Sequence, residues 1–145
     1  MIFMHEEIAK KRKENWFEVM FTIEALAIDK EVVEKSLKTH VEKMTKIREI
    51  MIYDKQFLET LEVEKPMKNV EKAYSQIVRV KFFAKDLTTL LGVVMVYGPS
   101  SIEILGPAKS ELRLDEVQNV TNLIAGVVHQ FAAAGIGGMV ISPDK

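Results

Sequence analysis

The sequence contains no cysteine, which excludes disulfides and thiolate-bound metal and is consistent with a cytoplasmic protein. It has no excess of charge of either sign. The formal net charge is −1, so attraction to nucleic acid or to an anionic membrane would need a local patch. No apolar run reaches the roughly 18 residues of a membrane span. Lys10, Lys11, Arg12 and Lys13 follow a short apolar start, but no apolar stretch of the signal-peptide kind comes after them. Low-complexity segments, glycine-serine linkers and internal repeats are also missing. Asn and Gln are few beside Lys and Glu, a bias found in thermophilic proteins. What remains is an ordinary globular mix, 48% apolar and 28% charged over 145 residues, enough for one domain with a core.

Periodicity divides the chain into elements. Met4 to Asn15 reads as a short, highly charged helix or arm. From Phe17 the period is two: Phe17, Val19, Phe21, Ile23 and Ala25 alternate with polar residues, a half-buried strand. Asp29 is a suitable N-cap, and Val33, Leu37, Val41 and Met44 then recur at helical spacing to about Lys46. Ile47 to Glu64 alternates well enough for a long or bulged strand, with Pro66 and Asn69 marking the turn that ends it. A second clear strand runs from Tyr74 to Ala84. Asp86 caps a helix carrying Leu87, Leu90, Leu91, Val94 and Met95, which stops at Gly98-Pro99. Ile102 to Leu105 form a short strand. A long helix from about Leu114 ends at Gly135, and residues 136–142 suit an edge strand.

The six central elements spell β-α-β-β-α-β. The expected fold is therefore α+β: a ferredoxin-like plait of the split β-α-β kind, with a four-stranded antiparallel sheet and both crossover helices on one face. A peripheral helix over residues 1–15 precedes a single domain over residues 16–145, which includes the long C-terminal helix.

Tests for chemistry mostly fail. His5-Glu6-Glu7 opens like a zinc-protease helix, but Ala9 stands where the second histidine would be needed. His40 and His129 have no companion at ligating spacing, so neither a metal nor a cofactor is expected. Ser100 and Ser101 lie between a helix and a strand rather than in a nucleophile elbow. They read as a tight turn, or as a ligand-facing loop made of Gly98, Pro99, Ser100 and Ser101 with Glu103 beyond it. The glycines at 135, 137 and 138 follow a helix, whereas a phosphate cradle precedes one.

An RNA-binding sheet is a third possibility for this fold class. Arg79, Lys81 and Phe83 share the helix-free face, but Glu18 and Glu24 are expected beside them as cross-strand ion partners. The glycine-aromatic pattern of an RNA-recognition strand is missing, and nucleic acid is not the expected partner. Trp16, Met20, Ile77 and Phe83 instead give that face an apolar character that calls for a cover, either the last helix folded across it or another subunit, and a homodimer or higher homo-oligomer is the leading expectation.

The segment from Leu90 through Tyr97-Gly98-Pro99, the strand Ile102 to Leu105, and Pro107 resembles the C-terminal WCX domain of WYL-type bacterial transcription regulators. The resemblance spans about a third of the chain, roughly Val78 to Val128. It implies a ferredoxin-like fold with a sensing or oligomerising role. Neither a helix-turn-helix nor a WYL domain accompanies it, so DNA regulation does not carry over. The chain as a whole also resembles a small uncharacterised archaeal family.

Two functions follow as expectations. One is a non-catalytic, homo-oligomeric interaction or regulatory module that holds a small ligand near Gly98–Ser101 or at a subunit interface. The alternative is an enzyme with dispersed residues in an intersubunit cleft, Glu103, Lys81 and His129 being the available acid-base groups.

Overall fold

A computed structural model of the chain describes residues 2–135. The strand expected over residues 136–142 lies outside the described residues. The chain divides into two compact units, residues 1–110 and residues 111–145. The N-terminal helix falls in the unit that contains the sheet, and the long C-terminal helix falls in the other.

The first unit contains α1 (Ile2–Lys13), β1 (Phe17–Ala27), α2 (Lys30–Met44), β2 (Ile50–Phe57), β3 (Leu61–Met67), β4 (Val70–Ala84), α3 (Leu87–Tyr97) and β5 (Ser101–Gly106). The result is an α+β architecture with an open antiparallel sheet of five strands. The strand order is β2-β4-β1-β5, and β3 also pairs with β4.

Residues 47–64, expected as one long or bulged strand, instead supply two strands, β2 and most of β3. β2 pairs with β4 from Ile50↔Ala84 to Phe57↔Val78, and β3 continues from Leu61↔Ser75 to Met67↔Val70. Both lie on the same edge of β4, one after the other. The Leu58 amide donates to the Ile77 carbonyl at 2.9 Å across the gap between them. Two register shifts absorb extra residues, one at Tyr53 and one at Lys65-Pro66. A bulge frees backbone N–H groups from the ladder, which is why a proline is tolerated there. The turn falls at Lys68-Asn69, so β4 starts at Val70, four residues before Tyr74.

The core lies under one face. Val19, Phe21 and Ile23 of β1 meet Val78, Val80 and Phe82 of β4, with the Phe21 and Phe82 rings edge-to-face at 4.7 Å. Leu37, Val41 and Met44 of α2 and Leu90 and Val93 of α3 close this cluster. The helices start where short side chains satisfy free amides. Asp29 accepts from the Glu31 amide, and Asp86 accepts from the Thr89 amide at 2.8 Å. α3 ends at Gly98, whose left-handed φ of 54° turns the chain back towards β5.

α1 ends by the same device without glycine. Asn15 takes φ 61°, its amide donates to the Arg12 carbonyl, and the Trp16 amide donates to the Lys11 carbonyl. That pair of bonds is a Schellman cap, and asparagine tolerates the left-handed conformation better than other side chains.

The second unit contains α4 (Leu114–Ala133). Among the described residues, no helix is long and apolar enough to cross a membrane.

Candidate functional site

The helix-free face of the sheet is organised by pairs across β1 and β4: Glu18↔Phe83, Met20↔Lys81, Thr22↔Arg79 and Glu24↔Ile77. The expected cross-strand ion pairs do not form there. Glu18 is bound instead by Arg12 from α1, whose Nε and Nη2 donate to its two carboxylate oxygens at 2.9 and 3.0 Å. The Tyr53 hydroxyl donates to the same carboxylate at 2.6 Å. Glu24 accepts from the Ser75 hydroxyl at 2.9 Å.

Electrostatics in this cluster favour the ion pair. Hydrogen bonds from Arg12 hold the Glu18 carboxyl below the usual carboxylate range, outweighing the cost of its burial, and Tyr53 adds to the effect. The Tyr53 phenol is pushed up, first by burial and then by its bond to Glu18. Its proton therefore stays on. The cluster is built to hold a fixed charge, whereas acid-base catalysis calls for a group poised near neutrality.

Beside it lies a cavity of about 280 Å³ lined by Arg12, Trp16, Glu18, Leu105, Gly106 and Pro107. The Gly106-Pro107 peptide is cis. The Lys11 ammonium sits 4.0 Å from the Trp16 ring centre, a cation-π contact.

The four residues expected as an open apolar patch are placed differently from one another. Trp16, Met20 and Ile77 are half-buried. Phe83 is fully buried, with the Tyr53 ring 5.2 Å from its own. The extra residue at the β2 bulge brings Tyr53 to it, which no alternation pattern could have indicated.

The Gly98–Ser101 turn is occupied with joining elements. Gly98 caps α3. The amide and hydroxyl of Ser100 both donate to the Thr22 carbonyl, at 2.7 and 2.9 Å. Ser101 opens β5 opposite Thr22, and Glu103 lies opposite Met20. Met20 thus separates Glu103 from Lys81, which puts the two about two strand spacings, or roughly 10 Å, apart. His129 is on α4, in the other unit. His40 serves structure: its Nε2 donates to the Tyr97 carbonyl at 2.9 Å, and its ring meets the Tyr97 ring edge-on. Among the described residues, no three His, Cys, Asp or Glu side chains are grouped to hold a metal ion.

The exposed apolar surface lies elsewhere. Ile102 and Ile104 of β5 pair with Phe21 and Val19, yet both are exposed, because the cluster under α2 and α3 includes no β5 residue. α3 has no Asp, Glu, Lys or Arg from Leu87 to Tyr97, although it buries only Leu90 and Val93 fully. Its outer side exposes Met95 and Val96 and borders a groove of about 400 Å³ with Ile47, Gly92 and Tyr97. α4 buries no residue fully and exposes Val117, Ile124, Val128 and Phe131. The signal that could have found these surfaces is the lack of charge throughout α3 and in α4 after Glu116, in a chain that is 28% charged.

Taken together, the chain is an α+β protein with an open antiparallel sheet, two helices on one sheet face, and uncharged helical surface left exposed. A family model described as the MJ0538 family matches residues 18–143, and the chain belongs to that family. No curated protein and no solved structure matches it.

Proposed function

We propose that this protein is a non-catalytic, homo-oligomeric interaction or regulatory module built on a ferredoxin-like plait. Supporting the plait are the order β2-β4-β1-β5 and the two helices over the β1–β4 core, with β3 read as a continuation of β2. The WCX resemblance points to the same fold and to an oligomerising role.

The observation that carries the functional reading is the uncharged, exposed helical surface. From Val117 to Ala134 there is no Asp, Glu, Lys or Arg, and three of the exposed residues are Ile124, Val128 and Phe131. Contiguous apolar patches of that kind mark contacts. For a sensed small ligand, the cavity beside Arg12 is a better seat than the Gly98–Ser101 turn, because both donors of Ser100 already bind Thr22.

Light scattering or sedimentation equilibrium at micromolar concentration tests the reading. A mass of at least two chains is expected. A monomer there overturns it.

A further inference from the structure

α4 carries a second regularity beyond the lack of charge after Glu116. Leu114, Val117, Thr121, Ile124, Val128 and Phe131 follow one another at intervals of three, four, three, four and three residues. That is the spacing of the a and d positions of a heptad, the pattern that keeps one seam of a helix against a partner helix. All six residues are exposed, the five apolar ones from 42% for Val117 to 85% for Leu114. Thr121, the polar member, turns its hydroxyl back onto the Val117 carbonyl at 2.7 Å, so it presents its methyl group without an unmet donor.

The positions flanking this seam are Gln118, Val120, Ala125, Val127 and Ala132. None is charged. Flanking charges are what normally select one coiled-coil partner over another, and a seam without them has nothing to repel its own copy. We infer that α4 pairs with α4 of a second copy, in antiparallel orientation, along this seam.

Charge decides the orientation. The acidic residues of α4 are Asp115 and Glu116, both in its first turn, and its last turn has no basic residue. A parallel pair would gather both copies' carboxylates at one end. An antiparallel pair holds them about 20 Å apart along the axis and opposes the two helix dipoles. The two-fold axis then falls between Thr121 and Ile124, placing Val117 opposite Val128 of the second copy and Leu114 opposite its Phe131.

The inference rests on the homo-oligomeric reading, and its test separates the two. Full-length Ile124→Asp and Val128→Asp variants should weaken the dimer at least about tenfold, since a charge in a desolvated seam costs more than 1.4 kcal/mol. Neither should change the melting temperature of the sheet unit, because α4 has no fully buried residue. Val96→Lys on α3 should leave the dimer intact. The absence of native cysteine makes a second readout clean. Val117→Cys and Val128→Cys proteins should form no disulfide when oxidised separately and should cross-link when mixed. In the antiparallel register like residues are about 16 Å apart along the axis, beyond the roughly 7 Å limit for a disulfide. A wild-type monomer overturns both readings. A dimer that survives the α4 variants, or that Val96→Lys splits, overturns α4 pairing and leaves the oligomer standing. Self-cross-linking of Val117→Cys overturns the antiparallel orientation.

Discussion

Arg12 and Glu18 meet side by side, two guanidinium nitrogens against two carboxylate oxygens, and so tie the last turn of α1 to the start of β1. The carboxylate is nearly enclosed, whereas the arginine remains largely open to water. With Tyr53 reaching the same carboxylate from β2, three elements converge on one charge.

Removing that charge should be felt by the whole sheet unit. Glu18→Gln is expected to destabilise the protein by about 1–3 kcal/mol, the usual worth of charge-assisted bonds whose remaining partner is partly buried. Tyr53→Phe, which removes a single donor, should cost about 1 kcal/mol. Urea denaturation measures both. A Glu18→Gln midpoint equal to wild type would show that the pair contributes nothing.

The same carboxyl predicts a pH dependence. Its folded pKa is lowered, chiefly by the bonds from Arg12, relative to about 4.3 in the unfolded chain. A lowered pKa means that the stabilisation is complete above the unfolded value and fades as pH falls through the folded one. The stability gap between wild type and Glu18→Gln should be constant above about pH 5 and should narrow below about pH 4. Denaturation curves at a series of pH values check this, and a gap that widens in acid would contradict it.

Asn15 supplies a test of backbone conformation. It holds φ 61° at the end of α1. Asn15→Ala should cost about 1 kcal/mol, because a Cβ without a polar group strains the left-handed region. Asn15→Gly should match wild type or exceed it slightly. Thermal melts of the two variants should therefore move apart.

Gly92 supplies the opposite case. It sits inside α3, and a Cβ built there meets no atom within 4 Å. Gly92→Ala should stabilise the chain by about 0.5–1 kcal/mol through helix propensity alone. A loss of stability on denaturation would mean that the groove beside Gly92 is filled in the assembled protein.

Buried Gln76 is expected to hold an ordered water. Its Nε2 donates to the Leu58 carbonyl at 3.0 Å, whereas its Oε1 has no partner among the described residues. A buried amide oxygen without a bond is costly, and a water with other polar neighbours is the usual remedy. A crystal structure at high resolution should show density within hydrogen-bond distance of Oε1.

The sequence by itself determined β1, α2 and β4 and the face of each that enters the core. Alternation through Phe17–Ala25 and Tyr74–Ala84 and the 3.6-residue spacing of Val33, Leu37, Val41 and Met44 are local signals that burial enforces directly. The caps at Asp29, Asp86 and Gly98 were legible for the same reason, since each satisfies amides or carbonyls a few residues away. Tertiary structure alone decided what lies over the helix-free face. A bulge at Tyr53 and a helix cap at Asn15 bring Tyr53 and Arg12 to Glu18, and neither approach has a periodic signature. It also left β5 beyond the helix layer, so that Ile102 and Ile104 are exposed although their alternation marks them as core. Periodicity reports which residues could be buried together; only the placement of neighbouring elements says which of them are.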